Sequence, residues 1–199
     1  MIEENDFCEK FINSEVHDFI DSARRGDIIR LKHLLNAGID PDVQGPKGWT
    51  ALRKAAVPGH CDIASELLRH GATVDAASYM GQTALLVACA YGHYDMVVLL
   101  LFNGADPNRA NVAGQTPLIE AALHGFSLSV RELLDNGAEL NRQNKQGKTA
   151  LMLAIENNHE NIVTMLLDEG AEANGKGKAW DGTALPGAGK ISGLEKTAI

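Results

Sequence analysis

Three histidines at regular positions are the first residues whose type suggests chemistry, because imidazole is a common metal ligand. His60 and His93 each follow a glycine, and His159 follows Asn158. Packed helices lie about 8–10 Å apart, whereas zinc holds each ligand nitrogen at about 2.0–2.1 Å, so histidines at equivalent points of successive helices do not readily share an ion. Cys89 lies four residues before His93, yet no third ligand is evident. We therefore predict structural, hydrogen-bonding histidines and no metal site.

A glycine-rich segment near the C-terminus suggests phosphate chemistry. The stretch "ALPGAGKIS", residues 184–192, is similar to the phosphate-binding loop G-x-x-x-x-G-K-[ST]. However, Ala184 replaces the first glycine, Ile191 replaces the hydroxyl that holds magnesium, and no predicted strand precedes the segment. The chain also lacks the G-x-S-x-G context of a nucleophilic serine. We therefore predict a flexible tail here, with no catalytic residue, no cofactor and no enzyme activity.

Charge and composition narrow the classes of partner. The chain of 199 residues is 45% hydrophobic, as is ordinary for a globular protein, and its formal net charge is -8. This negative charge argues against nucleic acid and anionic membranes as partners. The acidic start "MIEENDFCEKFINS" is unlike a secretory signal, no apolar run reaches membrane-spanning length, and three cysteines without a C-x-x-C pattern indicate reduced thiols. We expect an intracellular, cytoplasmic protein, with the nucleus as the other compartment.

A period of 33 residues organises most of the chain. Several independent series share this period, which indicates a repeat protein whose short units are stable only when they stack on one another. The series are Gly48, Gly81, Gly114 and Gly147; Thr50, Thr83, Thr116 and Thr149; Leu52, Leu85, Leu118 and Leu151; and five leucine pairs from Leu34-Leu35 to Leu166-Leu167.

These residues resemble the ankyrin repeat family. "GQTPLIEAALHG" and "VRELLDNGAELN" are similar to its T-P-L-H-x-A opening and its L-L-x-x-G-A-D-x-N ending, and the likeness extends over residues 15–176. It implies an all-α fold, an ankyrin-repeat solenoid of stacked helix-turn-helix units joined by β-hairpin-like loops. We expect about five units, at 15–44, 45–77, 78–110, 111–143 and 144–176, with 1–14 as an N-terminal extension or capping segment and 177–199 as a tail with a partial sixth repeat.

Local patterns predict how each unit is built. The repeated threonine is placed to cap a first helix of about eight to ten residues, too short to be stable alone. Phe19 takes the leucine position in the first unit. Asn158 replaces a turn glycine in the last unit, and asparagine is the residue other than glycine that best tolerates a left-handed turn. The histidine of the family's opening is replaced by Arg53, Leu86, Ile119 and Met152.

The resemblance also implies where a partner binds. In ankyrin domains the loop tips and the ends of the first helices form a concave surface, and stacking does not restrict the residues there. The expected partner-binding residues are Trp49, Tyr79, Met80, Tyr91, Val112 and Leu123. We expect a monomeric, non-enzymatic module or scaffold that binds another protein or a peptide. The alternative is a spacer or regulatory, inhibitory segment of a larger multi-repeat protein.

Two further features concern modification and the chain end. By resemblance, Asn108, Asn141 and Asn174 match the sequence context used by asparaginyl hydroxylases. The ending Thr197–Ile199 is similar to the short S/T-x-apolar termini that PDZ domains capture, and the alternative is an unstructured terminus.

Overall fold

The computed structural model describes residues 3–172, and residues 3–13 by their backbone alone. This part of the chain contains ten α-helices: α1 (Glu3–Arg25), α2 (Ile28–Asn36), α3 (Ala51–Ala56), α4 (Cys61–Arg69), α5 (Ala84–Tyr91), α6 (Tyr94–Phe102), α7 (Pro117–His124), α8 (Ser127–Asp135), α9 (Ala150–Glu156) and α10 (Glu160–Asp168). The chain divides into two compact units, an N-terminal half that ends at Asp106 and a C-terminal half that begins at Pro107.

Helices α1–α6 form the N-terminal half. α1 packs against α2 and α3, and α3 packs against α4 and α5. The second helices α2, α4 and α6 also pack in series. Phe19 is fully buried, as its leucine position predicts. The other large, fully buried side chains include Leu31, Leu52, Ile63, Leu67, Leu85, Met96 and Leu100.

Helices α7–α10 form the C-terminal half in the same way. α7 packs against α8 and α9, while α10 packs against α8 and α9. Ala121 and Ala154 are fully buried, and their small size allows α7 and α9 to approach closely. The larger core side chains of this half include Leu118, Val130, Leu133, Leu151, Val163 and Leu166.

The four first helices from α3 onward begin at the predicted threonines. In each case the threonine hydroxyl oxygen accepts a hydrogen bond from the backbone N–H three residues later, and the threonines are Thr50, Thr83, Thr116 and Thr149. The predicted length of eight to ten residues is wrong for α3 and α9, which have 6 and 7 residues. α3 is shortest because Pro58, two residues after its end, has no N–H with which to continue the helix.

The loops between repeats are tight and hairpin-like, as the fold prediction requires. Each is closed by a backbone hydrogen bond, and the pairs are Gly45 N to Trp49 O, Ser78 N to Gln82 O, Asn111 N to Gln115 O and Asn144 N to Lys148 O. Gly45 and Trp49 also form an antiparallel bridge, although no strand extends from it in residues 3–172.

The turns between paired helices also agree with the sequence. Asn158 has a φ of 59°, so it adopts the predicted left-handed conformation. Residues 3–14 are part of α1, which continues into the first repeat. The tail 177–199, including residues 184–192 and Thr197–Ile199, lies outside the described residues. Among the helices of residues 3–172, none is long and apolar enough to cross a bilayer.

Candidate functional site

A loop tip in the N-terminal half exposes Tyr79 and Met80. The Tyr79 N–H donates to the Lys47 carbonyl oxygen at 3.1 Å, which ties this tip to the preceding one. The Tyr79 ring lies against Gly48, where φ is 71° and a Cβ would come within 2.6 Å of the ring, so this packing requires glycine. Tyr79 is nevertheless 74% exposed and Met80 59% exposed. The tip therefore offers an anchored aromatic ring beside a flexible thioether.

Tyr91 is the second exposed aromatic residue of this half. It is the last residue of α5, and Gly92 ends the helix in a left-handed conformation. The Tyr91 ring stacks on the His93 ring, with centroids 6.3 Å apart and planes at 6°. His93 in turn donates from Nε2 to the Val57 carbonyl oxygen at 2.8 Å. Tyr91 is thus 58% exposed but rests on a fixed ring.

Trp49 is half-buried and surrounded by cationic groups. The Lys54 Nζ atom lies 3.5 Å from its ring centroid and the Arg53 Cζ atom lies 5.0 Å from it. The Lys47 Nζ atom is at 5.5 Å. These distances are within the range in which a cation is attracted to an aromatic face. We call Lys47, Arg53 and Lys54 the cationic cluster.

Arg53 is the most buried member of the cationic cluster, with 8% exposure. Its Nη2 atom donates to the Gln82 Oε1 atom, while its Nε atom is buried without a hydrogen-bond partner. Burial lowers the pKa of the Arg53 guanidinium, and Tyr91 acts in the opposite direction. No carboxylate of residues 14–172 forms an ion pair with any member of the cationic cluster. The guanidinium charge is therefore largely desolvated without a counter-charge.

The second lysine of the cationic cluster is also perturbed. The pKa of the Lys54 ammonium is lowered, mainly by burial and then by the neighbouring charge of Arg53. Arg24 on α1 lowers it further, while Asp21 acts in the opposite direction. The Asp21 carboxylate is itself engaged by Arg24 at 2.7 Å and by Arg25 at 3.1 Å. The hydrogen bond from Arg24 is the largest cause that lowers the Asp21 pKa, so this acid is already compensated.

A small cavity lies beside Trp49 in the N-terminal half. Its volume is about 180 Å³. It lies between α1 and the loop that precedes α3, and it is lined by His17, Ile20, Asp21, Arg24, Gly45, Pro46, Trp49 and Lys54. Ile20, Pro46 and the Trp49 ring supply apolar walls, and Lys54 brings a cation to the same opening.

The loop tips and first-helix ends of the C-terminal half carry different side chains. Val112 is exposed on its loop tip, and Leu123 near the end of α7 is half-buried. Lys148, which has the register position of Trp49, places Nζ 2.6 Å from the nearest Glu156 carboxylate oxygen. The cation here is neutralised by the protein itself.

The asparagines that resemble hydroxylation sites have a structural role in the loops. Asn108 Oδ1 accepts from the Glu139 N–H at 2.7 Å, and Asn141 Oδ1 accepts from the Glu172 N–H at 2.9 Å. Asp42 makes the same contact with Thr73. Asn174 lies outside the described residues. Hydroxylation stays a prediction, which an intact mass increased by one oxygen atom per modified asparagine would support.

His93 and His159 form the hydrogen bonds that the sequence predicts. His93 and His159 donate from Nε2 to carbonyl oxygens of the preceding repeat, and the His159 bond reaches Leu123 O at 3.1 Å. His60 packs over Gly26. Within residues 14–172, whose side chains the structure describes, no three His, Cys, Asp or Glu side chains are grouped so as to hold a metal ion.

Sequence reasoning missed exposed apolar residues on the second helices. Ile29 on α2 and Phe102 at the end of α6 are 81% and 88% exposed, and Leu128 on α8 is also exposed. Aligning the repeats indicates the exposure of Ile29, because other repeats have Asp62 and Asp95 at the same position. The cationic cluster was also missed, although Arg53 departs from the family's histidine.

Comparison with known families agrees with this architecture. A family model for ankyrin repeats, built from three copies, matches residues 19–111 and residues 96–176. These matches span most of the 199 residues, so the chain belongs to the ankyrin repeat family. Ankyrin repeats are generally protein–protein interaction modules, and the family is typically non-enzymatic. No curated protein has significant sequence similarity to the chain.

Proposed function

We propose that this protein is a non-enzymatic module that binds another protein or a peptide on its loop tips and first-helix ends. Tyr79, Met80 and Tyr91 are the main contacts in the N-terminal half, together with Trp49. Val112 on a loop tip and Leu123 near the end of α7 are the contacts in the C-terminal half. The observation that carries the proposal is the exposure of three large apolar side chains at one loop tip and one helix end of the same repeat.

The way these side chains are held supports a binding role. Exposed apolar groups that lie together are typical of interaction sites, and tyrosine is enriched among the residues that dominate binding energy. Tyr79 rests on Gly48 and Tyr91 rests on His93, so neither ring needs much ordering when a partner arrives. Preorganisation of this kind lowers the entropic cost of association.

A pull-down from a lysate of the source cell tests the proposal with two matched variants of the full chain. The first carries Tyr79→Ala, Met80→Ala and Tyr91→Ala. The second carries Ile29→Ala and Phe102→Ala, which remove even more exposed apolar groups from second helices of the same half. Circular dichroism and the thermal midpoint establish that both variants are folded.

The expected result is that the first variant loses partners that the wild type and the second variant retain. Truncation of a dominant contact typically costs about 2 kcal/mol or more, which corresponds to about 30-fold in affinity. Partners that the first variant retains and the second loses would contradict the proposal and move the binding surface to the second helices. Val112→Ser in the same assay reports whether the contact extends to the C-terminal half.

A further inference from the structure

We infer that the partner offers an acidic peptide segment with one apolar anchor, which binds at the cationic cluster and in the cavity beside Trp49. The inference rests on the proposed function, because it names the partner chemistry at one end of the same set of loop tips and first helices. Two hydrogen bonds connect the cationic cluster to the loop that carries Tyr79. The Lys47 carbonyl oxygen accepts from the Tyr79 N–H, and Arg53 donates to Gln82, three residues after Tyr79.

The first argument is the missing counter-charge. A buried cation without a partner is costly, because its lost hydration is not replaced by an opposite charge. Arg53 is 8% exposed and bonds only to a neutral amide, and its Nε atom has no partner. Lys47 and Lys54 add two charges around the same tryptophan. A carboxylate from outside would therefore gain several cationic neighbours in partly desolvated surroundings.

The second argument is that most other lysine and arginine side chains of the described residues already form ion pairs with carboxylates of the protein. Arg30 contacts the Asp18 carboxylate at 2.6 Å, and Arg131 contacts Glu169 at 2.6 Å. Lys148 makes the ion pair with Glu156 at the position equivalent to Trp49. Acidic residues outnumber basic ones in the chain, 26 to 18, so a cation is expected to find a carboxylate partner. The three cations around the Trp49 ring have none within residues 14–172. The complementary charge thus belongs to the partner.

The third argument is the size and lining of the cavity. Its volume of about 180 Å³ is similar to the ~150 Å³ of an engineered apolar cavity that binds benzene, so it fits one aromatic or branched side chain. Ile20 and Pro46 form apolar walls. Lys54 lines the cavity and also lies 3.5 Å from the Trp49 ring centroid. An apolar side chain in the cavity would therefore place the neighbouring residues of its peptide next to the cations.

A nucleic acid fits the same cations less well. Its many phosphates would approach a chain whose net charge is -8, whereas a short peptide needs only the few cations present. The cavity also selects an apolar side chain, which nucleic acid lacks. An acidic peptide is therefore the occupant that satisfies both the charge and the shape.

The test is a selection from a random library of about 12-residue peptides against the full chain, followed by titration of the enriched peptides. Trp49 and Trp180 are the two tryptophans, so the Trp180→Phe variant makes Trp49 the single fluorescent reporter of binding. The variant Lys47→Glu with Lys54→Glu reverses two charges of the cationic cluster. Lys145→Glu, which reverses one charge, is the control, since Lys145 is an exposed loop-tip lysine of the C-terminal half.

We expect enriched peptides to carry Asp or Glu next to an aromatic or branched apolar residue and to change the Trp49 emission. The charge-reversed variant should weaken their binding about tenfold or more, while Lys145→Glu changes it less than about twofold. Raising the salt from about 50 mM to about 500 mM should also weaken binding, because exposed charges are screened. Replacing the acidic residues of a peptide by Gln or Asn should remove the salt dependence.

Distinct outcomes overturn the inference or the proposed function. Neutral or basic peptides that bind equally to wild type and charge-reversed protein, but not to the variant lacking Tyr79, Met80 and Tyr91, would overturn the acidic partner and leave the binding module intact. Peptides that none of these substitutions affects, or no enriched peptide, would overturn both. A single-stranded oligonucleotide that binds as tightly as the best peptide would overturn the acidic partner by marking the cluster as a general anion site.

Discussion

The neighbours of a charged residue determine its role in this protein. Lys148 and Trp49 occupy the same position in different repeats. The Lys148 ammonium is neutralised by Glu156, whereas the cations around the Trp49 ring have no carboxylate partner in the described part of the chain. Arg53 could be recognised from sequence only as a departure from the family's histidine. Its guanidinium donates a hydrogen bond to Gln82, which is 29 residues away and reaches it through tertiary packing. Local patterns do not contain that information.

Glu120 provides a residue-scale prediction about pH. Burial on α7 raises the pKa of the Glu120 carboxyl, and the charge of His124 acts in the opposite direction. A raised folded-state pKa means that the charged form is disfavoured in the folded protein, so its cost is present above the folded pKa and absent below the unfolded pKa. We therefore expect Glu120→Gln to stabilise the protein at neutral pH and to make little difference near pH 4.

Urea unfolding of wild type and Glu120→Gln at both pH values measures this difference. The exposed Glu172→Gln change is the control, since it also removes one negative charge from the same half. A gain for Glu120→Gln that is equal at the two pH values, or larger at the acidic one, would contradict the assigned effect of burial.

At the element scale, the sequence was most informative about where helices begin and turn. The threonine caps and the left-handed Asn158 were predicted correctly, because both depend on local hydrogen bonding and sterics. The lengths of α3 and α9 were overestimated, since the end of a short helix depends on its neighbours as well as on its own residues. The exposure of Phe102 was not predicted, because α6 is apolar at every position after Asp95 and periodicity does not separate its faces.

Two glycines provide an element-scale prediction. Gly59 and Gly71 both have positive φ, at 82° and 87°, so alanine is strained at either position. A Cβ at Gly59 would also lie 2.7 Å from the His93 ring, while one at Gly71 would meet nothing within 4 Å. We expect Gly71→Ala to lower the free energy of unfolding by about 1–2 kcal/mol from the backbone alone. Gly59→Ala should cost about 1–3 kcal/mol more, because the imidazole must move.

Chemical denaturation of the two variants under identical conditions gives this comparison. The difference between them isolates the contact between successive repeats, since the backbone strain is common to both. Equal losses of stability would show that the packing of His93 against the Gly59 turn contributes little.

At the scale of the whole molecule, the regular positions form the scaffold and the variable positions form the surface. The period of 33 residues predicted a stack of repeats, because buried leucines and small alanines must recur for repeats to stack. The resemblance of the repeated motifs to the ankyrin family predicted the order of helices. The loop-tip residues follow no such requirement. The sequence therefore indicated which positions are variable, while only the structure shows that Tyr79 and Tyr91 are exposed and that Trp49 is half-buried.

The central claim, that a partner contacts the loop tips and first-helix ends, is tested most directly by site-specific photocrosslinking in the source cell. A photoreactive phenylalanine analogue at position 79 replaces an exposed aromatic ring, and the same analogue at position 102 replaces another in the same half. The account predicts crosslinked partner adducts from position 79 and few or none from position 102. Adducts from position 102 alone would contradict it and assign binding to the second helices.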